Sequence, residues 1–364
     1  MPQLVVDCEN VAVCSIEEEG AMRLAPGQVL VKVVKVAFTS NVISYALGGK
    51  SLRYFDFFPG PSARKGVVPS WGIGVVVATR DSRIQENERI YGLFPFSQLL
   101  VLNVSVVRPG EFVDLAENRK DLSTVYNTYM RLGHNRDPFY VPGAEDYMIL
   151  LRPLFVTAWL LKEFTQRALA DFDEKQVIIS CASSKTAMSL AFLLKHCSTH
   201  AISVVGLTST RNARFVNALE VYDKVVVYDD IESEIPVIVG TQIVDMSGNG
   251  NMLRRIILRI PSAKCALVGA TDWEKGMKDL PGKFFFAPAQ AVQVIKQIGK
   301  DAFDTTVSTD WVSFLGHAKK YKWVHIEYRN GPDAVLDVYR QALHQNLGDA
   351  SVGLVLSMWD NAAL

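Results

Sequence analysis

Two kinds of apolar pattern follow one another along this chain. Up to about residue 147 the apolar runs are short and rich in β-branched residues, as in QVLVKVVKVAFTS (28–40), WGIGVVVATR (71–80) and RIYGLFPFSQLLVL (89–102). Proline and glycine punctuate them, which predicts a domain built from short strands. One of these, through Leu99–Leu102, is expected to end near Asn103. The period then lengthens. Leu150, Leu154, Ala158, Leu161 and Phe164 share a helical face until Asp171-Phe172-Asp173-Glu174 interrupts it.

Beyond that break, strand and helix alternate. VIISCA, AISVVGLTS, KVVVYD, a segment inside IPVIVGTQIVDMS, and KCALVGA read as strands. TAMSLAFLLKHC, RNARFVNALE and NMLRRIILRI read as helices between them. Apolar strands alternating with helices predict a parallel sheet covered on both faces, with ligands at the carboxyl ends of its strands. A last helix around 331–347 and a strand, VGLVLSMW, close the chain. The fold class is α/β, and 364 residues suffice for two domains.

Composition narrows the partners. Lys plus Arg and Asp plus Glu number 38 each, so the formal charge is zero. That removes the electrostatic footprint of a general nucleic-acid binder. No apolar run approaches the ~18–20 residues of a membrane span, and MPQLVVDCENVAVCS lacks the basic and apolar regions of a secretory leader. Five scattered cysteines suit reduced thiols. A cytoplasmic protein without nucleic-acid or membrane partners is expected.

The candidate chemistry centres on a turn. Cys181-Ala182-Ser183-Ser184-Lys185-Thr186-Ala187 joins a strand to a helix where a dinucleotide fold places its glycine-rich loop, yet holds no glycine. Ser183, Ser184, Lys185 and Thr186 at a helix N-terminus are suited to a pyrophosphate; a purely structural turn with a capping serine fits the same residues. A phosphate loop of the GxxxxGK[ST] type is excluded by its missing glycines. The next strand ends in Ser209-Thr210-Arg211, with Arg214 a turn on. Hydroxyls and arginine there, without an acid for a ribose 2′-hydroxyl, suit the 2′-phosphate of NADP rather than NAD. His196-Cys197-Ser198-Thr199-His200 is the only His/Cys cluster, and its spacing matches no zinc motif; no metal is expected. Gly-x-Ser-x-Gly is absent. Tyr54–Phe58 and Phe284–Phe286 read as loop aromatics that either line a pocket for an apolar or aromatic substrate or fill a core.

These segments resemble the zinc-free, quinone-oxidoreductase side of the medium-chain dehydrogenase/reductase superfamily, and more closely a divergent branch, the DUF2855 family. QVLVKVVKVAFTSNVISYALGG resembles its GroES-like strand and loop, with Asn41 at the active-site asparagine. VPSWGIGVVVATR…NERIYGLFPFSQLLVL resembles the P-G-x-E-x-x-G-x-V…G-D-R-V-Y-G run, and VIISCASSKTAMSLAFLLK takes the V-L-V-x-G-A-A-G-G-V-G place. TSTRNARFVNALEVYDKVVVYDD resembles the segment that follows, which puts Tyr228 where it can approach the adenosine 2′-phosphate.

The resemblance implies a GroES-like, mostly-β domain (1–148 and 288–364) and a Rossmann domain with a doubly wound parallel sheet (149–287). It implies NADP(H) as cofactor, hydride transfer to a conjugated carbonyl of enone or quinone type, and a homodimer. Tyr45 is the candidate acid and Asn41 the positioning group. The zinc ligands of the zinc-dependent relatives are missing, Trp71 stands at the usual glutamate, and Ser44 at the usual aspartate. These departures admit two other readings. One is an NADP(H)-binding sensor or scaffold without catalysis; the other is a relative that has lost the dinucleotide and does other carbonyl or acyl chemistry.

Overall fold

The computed structural model describes residues 1–18, 20, 22–133, 137–198, 201–268, 282–344 and 348–360. The chain divides into two compact units, Met1–Leu150 with His325–Leu364, and Leu151–Val324.

The first unit opens with β1 (Pro2–Asp7), β2 (Cys14–Glu18) and β3 (Gln28–Phe38), followed by α1 (Ser40–Leu47) and β4 (Lys65–Val67). Then come β5 (Pro69–Thr79), β6 (Arg89–Pro95), β7 (Leu99–Arg108), β8 (Glu111–Asp114), α2 (Thr124–Asn127) and β9 (Thr128–Arg131). β7 runs on past Asn103, where the sequence suggested an end, because residues 104–108 pair with β8. The order β3-β5-β6-β9-β8-β7, with β7 pairing back onto β3, closes a barrel, and β2-β1-β4 form a separate small sheet. Of the two readings of the aromatics at 54–58, the structure shows the core: Tyr54, Phe55, Phe57 and Phe58 are all buried. Phe55 reaches its place because Gly49 and Gly66 lie against its ring; a Cβ at either would come within 2.1 or 2.4 Å of it.

A buried arginine ties the lower strands together. Arg119, 2% exposed, donates to Asp114 Oδ2 (2.8 Å), Asn127 Oδ1 (3.0 Å), Tyr129 Oη (3.1 Å) and the Tyr126 carbonyl (3.0 Å). The guanidinium also lies against the rings of Phe57, Phe58 and Tyr129, and losing one partner of such a buried pair costs about 3–5 kcal/mol.

The second unit follows along α3 (Glu145–Ala168), where the predicted helical face is observed. Its elements are β10 (Gln176–Ile179), α4 (Lys185–His196), β11 (Ser203–Thr208), α5 (Thr210–Ala218), β12 (Lys224–Val227), α6 (Ile231–Glu234), β13 (Thr241–Asp245), α7 (Gly250–Arg259), β14 (Lys264–Leu267) and β15 (Lys283–Phe284). All pairings are parallel, in the order β12-β11-β10-β13-β14-β15. Counted from β10 this is 3-2-1-4-5-6, the doubly wound order, with its switch point between β10 and β13. β10 and β13 are buried throughout, as covered parallel strands must be.

α8 (Ala287–Ile298) and α9 (Lys300–Lys320) belong to this second unit. The boundary expected at 288 therefore falls at Val324/His325. The cause is the apolar face of α9: Trp311 and Phe314 pack on Phe155, with ring centroids 5.4 and 5.0 Å away. The first unit then resumes with β16 (His325–Asn330), α10 (Pro332–Leu343) and β17 (Val352–Ser357), and β17 joins the barrel sheet alongside β3.

Candidate functional site

The glycine-free turn adopts a glycine conformation. Cys181 has φ 49°, in the left-handed region where an L side chain is strained. Two tyrosines from either end of β12 hold it there. Tyr222 donates to the Ala182 carbonyl at 2.8 Å, and the Cys181 N–H donates to Tyr228 Oη at 3.1 Å. Tyr228 also lies 3.6 Å from Cys181 Sγ. Tyr222 reaches its position over Gly206, where a Cβ would stand 2.7 Å from the tyrosine ring and 3.0 Å from Ala182 Cβ. Burial pushes the Cys181 thiol and both hydroxyls above their usual ranges, so all three stay protonated.

Past the turn, Ser184 caps α4 by accepting the Ala187 N–H at 3.2 Å. A capping serine uses a lone pair and keeps its own O–H for an outside acceptor. Ser183 is held likewise, accepting from Asn212 Nδ2 at 3.1 Å. Lys185 and Thr186 form the first turn of α4, partly exposed. At the next strand Ser209 caps α5 without a side-chain cap bond, and Thr210 and Arg211 open that helix on the surface. Neither α4 nor α5 carries an acid in its first turn. The eight residues singled out for the cofactor are thus spread over the carboxyl ends of β10, β11 and β12. This donor set fits phosphate groups: two helix N-termini, six hydroxyls and the cations Lys185 and Arg211.

One participant at this edge was not foreseen. Asp245, 1% exposed at the end of β13, accepts from Ser180 Oγ (2.7 Å), Ser247 Oγ (2.7 Å) and the Ser247 N–H (3.0 Å), and its other oxygen takes the Gly248 N–H (3.2 Å). Ser180 in turn accepts the Met246 N–H at 2.8 Å. The network fastens β10 to β13 at the switch point. Its members lie 65 residues apart, which no local motif could reveal.

In the first unit, α1 places Asn41 and Tyr45 one turn apart on one face. Trp71 Nε1 donates to the same Tyr45 hydroxyl at 3.3 Å. Tyr45 is 7% exposed, its ring 4.5 Å from that of Tyr54 and 6.4 Å from that of Tyr126. Tyr54 and Tyr126 share a hydrogen bond of 3.0 Å, and Trp71 stacks on Tyr91 at 5.5 Å. Burial raises the Tyr45 pKa against the pull of Trp71 and Asn41. The hydroxyl is a hydrogen-bond donor held neutral in an aromatic enclosure. Of the other aromatic stretch, Phe285 is buried while Phe284 is half exposed on β15.

Among the described residues no group of three or more potential metal ligands gathers, and no helix is long and apolar enough to cross a membrane. His134 and His200 lie outside the described residues.

Residues 36–348 match a family described as "Protein of unknown function (DUF2855)". No curated protein matches the chain. Solved structures of similar fold include CurA from Vibrio vulnificus in complex with NADPH, 12% identical, with a TM-score of 0.63 over 98% of this chain and 99% of that one. The quinone oxidoreductase from Coxiella burnetii is 12% identical, with a TM-score of 0.54 and coverage of 98% and 99%. The yhdH oxidoreductase from Salmonella enterica in complex with NADP is 10% identical, with a TM-score of 0.53 and the same coverage. At these identities the similarity shows the fold, a GroES-like domain with a Rossmann domain.

Proposed function

The chain belongs to the family described as protein of unknown function DUF2855, and from that premise we propose that it is an NADP(H)-dependent, zinc-independent oxidoreductase reducing a conjugated carbonyl of enone or quinone type. The observation that carries this reading is the 3-2-1-4-5-6 parallel sheet with two acid-free helix N-termini at neighbouring strand ends. Similar structures with NADPH or NADP bound support the same choice.

In this reading Ser183, Ser184, Lys185 and Thr186 hold the pyrophosphate. Ser209, Thr210 and Arg211 face the adenosine and its 2′-phosphate, with Tyr228 beside them at the end of β12. When bound, NADPH supplies the hydride that such a reduction consumes. The chain's own contribution is a proton donor: Tyr45 donates toward the carbonyl oxygen where negative charge develops, and preorganised donors of this kind supply much of an enzyme's rate. Trp71, donating to that hydroxyl oxygen, fixes its direction, and Asn41 stands one turn before it on α1 as the positioning group.

NADPH oxidation is to be followed by absorbance against a panel of enones and quinones. Turnover of at least one is expected, and Tyr45→Phe is expected to lower kcat by about 10²-fold. An unchanged kcat in Tyr45→Phe refutes the acid role.

A second reading, a dinucleotide-binding sensor that does not catalyse, is favoured by the enclosure of Tyr45 among Tyr54, Trp71 and Tyr126. Binding of NADPH without its consumption by any panel member selects that reading.

A further inference from the structure

Tyr228 stands at the end of β12, two strands from β10. Strands lie about 4.8 Å apart, so its side chain has to cross the carboxyl end of β11 to bring its hydroxyl to Cys181 N and Sγ, at 3.1 and 3.6 Å. That strand end carries Thr208, Ser209 and the start of α5 with Arg211. A molecule extending from the N-terminus of α4 to that of α5 has to pass over the same edge, because α4 follows β10 and α5 follows β11. The tyrosine and such a molecule compete for one place.

We propose that Tyr228 is a gate on the dinucleotide site: seated on Cys181, it closes the path over the end of β11, and it swings away when the adenosine half of NADP(H) is taken up. The proposal rests on the NADP(H) reading above. The latch is the hydroxyl, accepting one bond from the backbone and directing its proton to the thiol, while the ring rests against the core of the second unit. The hinge is the side chain of a residue that opens a three-residue 3-10 turn, Tyr228–Asp230, with exposed neighbours Asp229 and Asp230. A protein whose competent state is only partly populated shows an affinity reduced by that fraction. Removing the latch therefore strengthens binding, whereas removing a ligand to the 2′-phosphate weakens it.

The test is isothermal titration of the full chain with NADPH, comparing the parent with Tyr228→Phe, which deletes the latch and keeps the ring. Tyr228→Leu, which also shortens the side chain, serves as a second variant. Binding about three- to tenfold tighter is expected in Tyr228→Phe, with Tyr228→Leu following in the same direction. If the parent binds NADPH and both variants bind equally or more weakly, the gate is overturned while the dinucleotide reading stands. If none of the three proteins binds, the dinucleotide reading falls and the gate falls with it.

Discussion

Cys181 occupies a backbone conformation that costs an L residue about 1–2 kcal/mol, and its neighbours make up for the missing glycine. Tyr222 fixes the carbonyl on one side of Ala182 and Tyr228 the N–H on the other. Gly206 is what lets Tyr222 come so close. Gly206→Ala places a methyl 2.7 Å from the buried Tyr222 ring, whose hydroxyl is held on the Ala182 carbonyl. A loss of about 1–3 kcal/mol in unfolding free energy is expected, read from the urea midpoint; an unmoved midpoint contradicts the clamp. None of this was legible in CASSKTA. Residue type argues against a left-handed cysteine, and the two clamping tyrosines lie 40 and 47 residues away from their partners. What could be read was the turn's place in the strand–helix order, and with it the serines and Lys185.

At the scale of elements, α4 and α9 meet through one aromatic seam. Phe192 packs on Phe314, His317 and Trp323 at 5.4, 5.3 and 6.3 Å, and His196 stands 5.5 Å from His317. Burial lowers the pKa of both histidines below the usual 6.5. Lys195 adds to this for His196; His196 and Lys320 add to it for His317, against the opposing pull of Glu220. The folded state thus binds fewer protons than the unfolded chain once the pH drops to that range. Stability from these groups is complete above pH 6.5 and is lost as pH falls through the lowered folded values.

Urea midpoints at pH 7.5, 6.5 and 5.5 are expected to decline, and the decline to be shallower in the double variant His196→Gln, His317→Gln. Equal slopes in parent and variant contradict the assignment. α9 was missed as a member of the second unit. Its buried residues Phe303, Val307, Trp311, Phe314 and Leu315 follow helical spacing, but the resemblance assigns 288–364 to the other domain. β10, β11 and β13, in contrast, announced themselves as apolar runs because nearly every position in them is buried.

For the whole molecule, the order of elements carried the fold: a barrel of short strands, then a doubly wound sheet, then a return to the barrel sheet through β16 and β17. Contacts made over long separations, such as Asp245 with Ser180 across 65 residues, had no signature, and they fasten the strand ends at the candidate site. The central claim is that the carboxyl edge of the second unit is an NADP(H) site. Isothermal titration of the parent with NADPH and with NADH, repeated on Arg211→Ala, tests it most directly. NADPH is expected to bind at least about tenfold more tightly than NADH, with the preference lost in Arg211→Ala. Equal affinity for the two in the parent, or no binding of either, contradicts the account.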